Sequence, residues 1–257
     1  MQKRNNMNTP SGHRIHAFTL METLVVLVIL SLLLSIMFPG LSLVRDRSRI
    51  SRALADLRTH AQVFTAYAQD WKEAWPWFDH FQVYNEEKYI SILPGSADIC
   101  YFYQSRGWNV ALAEDYYNLP FWSDVFYAPD TPDDRMGGEA TYSYSCTFLA
   151  DPQYWEREHR TDYHQFRATH VQEVSFPERK VIFGYEKYTP ALATDRFYDS
   201  IPLVAFVDGS ARRMGKRKLK IGYAEYLGSP GDDCNGHFSI WPPGAHTISG
   251  LHGTDYD

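Results

Sequence analysis

Only three cysteines, Cys100, Cys146 and Cys234, occur in 257 residues, and no two of them form a Cys-x-x-Cys pair. The ligand spacing of a structural zinc site is therefore missing. Ten histidines are present, yet no His-Glu-x-x-His run occurs; His159, His164 and His170 fall near Glu156 and Glu158 without that spacing. There is no Gly-x-Ser-x-Gly elbow and no phosphate-binding loop. These gaps predict a protein that is not an enzyme. A basic surplus is lacking too: 25 Lys and Arg stand against 31 Asp and Glu, a net charge of −6. With a pI near 5.9, a nucleic-acid partner is not expected.

Charge is scarcest near the amino terminus. From Phe18 to Phe38 the only charged side chain is Glu22. A helix over 18–38 would be about 31 Å long, the thickness of a bilayer's hydrocarbon core. A carboxylate in such a span is costly, and a simple anchor has no use for it. It asks for a cationic partner, or for a local one: Thr19-Leu20-Met21-Glu22 also fits a capping box, with Thr at the N-cap and Glu at N3. Ahead of the run, residues 1–17 carry Lys3, Arg4 and Arg14 and no acidic residue. An ordinary secretory signal fits poorly, because the run is too long and Phe38-Pro39-Gly40-Leu41 offers no small-x-small cleavage site.

A basic leader, a small residue at Ala17, then Phe18-Thr19-Leu20-Met21-Glu22 resembles the N-terminal signal of type IV prepilins and type II secretion pseudopilins. The resemblance implies cleavage between Ala17 and Phe18 by a prepilin peptidase and N-methylation of Phe18. It implies that Glu22 pairs with the free amino terminus of a neighbouring subunit, and that Pro39 occupies the family's helix proline. Ala17 replaces the glycine usual before the cut. Further along, Gly107-Trp108-Asn109, Ala128-Pro129 with Asp130, Tyr142-Ser143-Tyr144, Pro177 to Ile182 and Phe206-Val207-Asp208-Gly209 resemble motifs of a large-head subgroup of the planctomycete–verrucomicrobial type. In that subgroup Ala128 would be cysteine, and Ser210 and Tyr198 would be histidine.

The resemblance also orders the chain. It implies a cleaved leader over 1–17, a transmembrane half-helix over 18–38 and an amphipathic half-helix over 39–70. An exported pilin-like head with an irregular tail follows over 71–257. The implied fold class is α+β, a long N-terminal helix packed on an antiparallel β-sheet. Orientation follows the leader motif: amino terminus cytoplasmic before cleavage, a single pass of the inner membrane, head periplasmic or extracellular. Counting positive charges alone would reverse it, since Arg45, Arg47, Arg49, Arg52 and Arg58 follow the span. Outside the cytoplasm one disulfide among Cys100, Cys146 and Cys234 is expected, and spacing does not say which.

Periodicity supplies the rest. Leu41, Val44, Ile50, Leu54, Leu57, Ala61, Phe64 and Tyr67-Ala68 recur at helical spacing, and the helix should stop before Trp75-Pro76. Pro39-Gly40 predicts a kink or local melt. A short helix is expected over Asn109 to Tyr117, and strands over Cys100–Tyr103, Ala140–Leu149, Lys180–Glu186 and Ile201–Val207. Asp208-Gly209 should turn the last of these into a hairpin with Ala211–Met214. Asp151 to His170 reads as a hydrophilic surface segment. No cofactor is required. Calcium is the one ion with candidate ligands, at Asp232 and Asp233 in a Gly-rich tail loop and at Asp130, Asp133, Asp134 and Glu139.

Two functions compete. One is a structural subunit of a type II secretion pseudopilus or type IV pilus-like filament, whose partners are the prepilin peptidase, other pilin or pseudopilin subunits, the inner-membrane assembly platform and membrane lipid. The other is a membrane-tethered exported binding protein that takes polysaccharide on some of its 18 Tyr, 15 Phe and 7 Trp.

Overall fold

Thr19 opens a helix because its hydroxyl and the Glu22 carboxylate satisfy one another's backbone N–H groups, as the capping box requires. The helix, α1, runs over Leu20–Asp70. The computed structural model describes residues 19–77, 104–129, 140–156, 158–161, 165–185, 202–214, 220 and 247–256. The chain divides into two compact units, one ending at Ser48 and the other beginning at Arg49.

In the first unit, Leu20–Phe38 has a mean hydropathy of 2.6 and buries none of its surface, so it is long and apolar enough to cross a membrane. Helix continues through Pro39 and Gly40 without interruption, so the backbone does not melt there. Leu41 and Val44, which the periodicity placed on a packed face, are exposed.

The second unit is α+β. Its share of α1 buries Ala53, Leu57, His60, Ala61, Phe64 and Ala68, one stripe at the helical period. Four antiparallel strands follow in the order of the chain: β1 (Ser143–Tyr144), β2 (Val181–Tyr185), β3 (Leu203–Phe206) and β4 (Ala211–Arg213). Every residue of β2 and β3 is buried, which is why they read as unbroken apolar runs rather than alternating ones. Gly209, at φ 80°, turns β3 into β4, with its N–H bonded to the Phe206 carbonyl. The helix and sheet meet through aromatic rings. Phe64 lies 4.6 Å from Phe183 and 4.7 Å from Tyr144, centre to centre. A second helix, α2 (Gln104–Tyr117), adds Trp108, whose Nε1–H donates to the Tyr142 carbonyl at 2.8 Å.

Three expectations need correction. Helix α2 begins at Gln104 rather than Asn109, taking in Gly107 despite its low propensity because Trp108 and Leu112 anchor that face in the core. The strand expected over Ala140–Leu149 shrinks to Ser143–Tyr144. The Ser145 N–H still reaches the Ile182 carbonyl, but Cys146–Phe148 then coils into a 3₁₀ turn. Asp151 to His170 is not purely a surface segment, since Tyr154, Trp155 and Thr169 are buried. Near the end of the described chain, the Val181 N–H of β2 donates to Asp255 Oδ2 and the Asp255 N–H donates to the Arg179 carbonyl. The strand expected over Cys100–Tyr103 lies outside the described residues.

Candidate functional site

The amino-terminal cap is the first place where chemistry concentrates. Glu22 Oε2 accepts from both the Thr19 N–H and the Thr19 hydroxyl at 2.9 Å, and the Glu22 N–H returns a 3.3 Å bond to Thr19 Oγ1. Both carboxylate bonds fall on one oxygen, and Oε1 accepts none among the described residues. A carboxylate has about four acceptor sites, so capping leaves room for a cation. The other polar side chains of the span are satisfied within the helix. Thr23 Oγ1 donates to the Thr19 carbonyl at 3.1 Å, Ser31 to Val28 and Ser35 to Leu32 at 2.8 Å each. In hydrocarbon, where no water can serve them, that return to the backbone is needed.

Among the described residues of the head, two buried sites contain ionisable side chains, around Lys180 and around His60. Lys180, immediately before β2, has no exposed surface; its Nζ donates to Thr247 Oγ1 and to the Gly250 carbonyl at 2.7 Å and lies 3.6 Å from Asp255 Oδ2. Asp255 also accepts from the Val181 N–H at 2.6 Å and from the Thr247 hydroxyl. Burial pulls the Lys180 ammonium down to about 8 and pushes the Asp255 carboxyl up, each against the attraction of the other. Gly250 seals this corner at φ 54°, where an added Cβ would come within 2.6 Å of Trp155 Cδ1. The chemistry of the site is that of a latch, fastening the last residues to the sheet.

His60 is the other. Its ring sits among Trp108, Phe126, Tyr142 and Phe183, and its Nδ1 is 2.7 Å from the Tyr117 hydroxyl. Burial holds it down at about 3, so it is neutral at ordinary pH. Beside it, the Tyr142 hydroxyl donates to Asp56 Oδ2 at 2.9 Å.

The sequence pointed to Glu22 but to neither buried site. A lysine heading an apolar strand was the available sign of the latch, and its partners lie about seventy residues away. His60 stands three residues after Leu57 on the buried stripe, which was the sign for it. Ala17, Phe18, Asp232, Asp233, Cys100 and Cys234 lie outside the described residues, as do Asp130, Asp133, Asp134, Glu139 and His164. Cys146 is buried. Among the described residues no group of three or more His, Cys, Asp or Glu side chains could hold a metal ion. His159 instead pairs with Glu156 and His170 with Glu173.

An apolar amino-terminal helix followed by a helix and an antiparallel sheet is a pilin-like arrangement of α+β class. The comparisons agree where they reach: residues 12–38 match the prokaryotic N-terminal methylation motif, the segment that holds Ala17, Phe18 and Glu22. No curated protein and no solved structure shows a significant match to the chain.

Proposed function

We propose that this protein is a structural subunit of a type II secretion pseudopilus or a type IV pilus-like filament. A prepilin peptidase cuts between Ala17 and Phe18 and methylates the new amino terminus. The span then holds the subunit in the inner membrane until the assembly platform delivers it to other pilin or pseudopilin subunits. The observation that carries the reading is Glu22. It stands inside the methylation motif, and its cap uses one carboxylate oxygen while leaving the other for a neighbour's ammonium. Such a pair neutralises both charges where neither is solvated. The size of the head and its Trp108, Tyr142–Tyr144 and Asp208-Gly209 segments support a place in the large-head subgroup as part of this proposal.

Mass spectrometry of the protein isolated from its native host tests this reading. The expected mature chain begins with N-methylated Phe18. An intact leader, or a cut after Gly40, would refute it.

A further inference from the structure

Helix α1 ends on an aromatic surface that the filament reading leaves unused. Trp71 is 57% exposed, yet it is held firmly. Its indole Nε1–H donates to the Tyr116 hydroxyl at 3.0 Å, the Tyr116 hydroxyl donates to Asp70 Oδ2 at 3.3 Å, and Tyr67 stacks on its ring at 15° and 5.6 Å. The backbone beyond is fixed as well. Lys72 and Glu73 take left-handed φ values of 54° and 64°, a region that non-glycine residues rarely adopt. The Glu73 N–H closes the helix on the Ala68 carbonyl, and the Trp75 N–H and Glu73 carbonyl bond to Thr169 and Val171. The indole's polar edge is thus already occupied, and what it offers to solvent is an apolar aromatic surface. Two exposed carboxylates belong to the same cluster through Tyr116: Asp70, which accepts from its hydroxyl, and Asp115, which precedes it on α2 and acts on its charge.

We propose that Tyr67, Trp71 and Tyr116, with Asp70 and Asp115, form a platform that binds a neutral polysaccharide. The C–H face of a pyranose ring would stack on Trp71, and its hydroxyls would donate to the two carboxylates. The size of the patch argues for a sugar over a protein. Among the described residues, one half-exposed Trp and two half-buried Tyr present far less than the roughly 800 Å² per partner of a stable protein interface. The carboxylates argue for a neutral glycan, since they repel uronates, sulfates and phosphates. Pre-ordering of the ring by Tyr116 and Tyr67 spares the entropy that a mobile side chain would lose on binding.

The test uses the full-length protein in detergent, titrated by tryptophan fluorescence and calorimetry. The probes are cellohexaose, xylohexaose, mannohexaose, maltohexaose and chitohexaose, with polygalacturonate as the anionic comparison. At least one neutral hexasaccharide should bind. Trp71→Ala should weaken it by roughly tenfold or more, while Trp71→Phe, which keeps the ring face, should retain most of the affinity. Asp115→Asn should lose a few-fold at most, and Trp122→Ala, a second exposed tryptophan, should leave binding unchanged. Near-UV circular dichroism confirms that each variant is folded. Failure of all five neutral probes at millimolar concentration, wild-type affinity in folded Trp71→Ala, or equal binding of polygalacturonate would each overturn the proposal. None of these outcomes bears on processing at Phe18.

Discussion

Replacing Asp255 by Ala should destabilise the head more than any exposed substitution, and the size of the effect follows from the latch. Lys180 is left with Thr247 and Gly250 as acceptors but no counter-charge, at zero exposure. Removing one partner of a buried ion pair costs about 3–5 kcal/mol. The Val181 N–H, which donates to Asp255 Oδ2 at 2.6 Å, loses its acceptor, adding about 1–3 kcal/mol. Against a total stability of about 5–15 kcal/mol this is a large fraction. At roughly 2–4 °C per kcal/mol for a domain of this size, the ionic part alone lowers Tm by roughly 6–20 °C. The assay is thermal unfolding of the full chain in detergent, followed by tryptophan fluorescence, because Trp155 packs on Gly250 in the same corner. Lys180→Met should cost a comparable 3–5 kcal/mol or so, by leaving the carboxylate alone. The double variant should cost only about 1–3 kcal/mol, the part owed to Val181. Additive losses in the double variant, or a shift of less than about 2 °C for Asp255→Ala, would refute the latch.

Three further outcomes are expected. His60 is neutral and buried, with its pKa near 3 against 6.5 when exposed, so the unfolded chain binds the extra proton between those values. Stability should therefore be intact above pH 6.5 and fall by roughly 4–5 kcal/mol as pH drops to 3, and His60→Phe should flatten that acid limb in urea titrations. Glu22→Ala should still insert and be cut at Phe18 yet assemble poorly; wild-type filament yield, counted by electron microscopy, would show that the carboxylate only caps the helix. If Asp232 and Asp233 bind calcium with micromolar affinity, chelation from millimolar calcium should remove roughly 4 kcal/mol. Their double Ala variant should lose that response, and identical melting with and without chelator would dismiss the site.

Helix α1 was legible at both ends because local chemistry sets them. A capping box writes the start, and Trp75-Pro76 places an outer limit on an end that the left-handed Lys72 and Glu73 set at Asp70. Strands β2 and β3 were legible because burial on both faces leaves continuous apolar runs, and the β3–β4 turn because Asp208-Gly209 supplies a residue tolerant of φ 80°. What could not be read depends on distant partners. Lys180 looks like a surface charge until residues 247–256 fold over it, and His60 looks like a polar interruption until Trp108, Tyr117 and Phe126 surround it. The same cause shortened β1. Nothing local to Ser145–Phe148 announces that Ser145 and Thr147 will bond to one another at 2.8 Å where the chain leaves the sheet. Nor does Trp71 differ in sequence from the core tryptophans Trp75, Trp108 and Trp155. Its exposure follows from the turn at Lys72 and Glu73.

The polar inventory of the span bears on why Glu22, rather than the head, should govern entry into a filament. Thr23, Ser31 and Ser35 each spend their hydroxyl on a carbonyl three or four residues back, so none has a reason to seek a second helix. Leucine, valine and isoleucine pack against lipid as well as against protein, and they discriminate little between the two. Among the described residues of the span, Glu22 alone carries a charge, and one of its carboxylate oxygens is not used by its own helix. A hydrogen-bonding cation from another subunit changes its energy more than any apolar contact can. On the proposed filament reading, the side chain most out of place in the apolar span is therefore the one that would give association a direction.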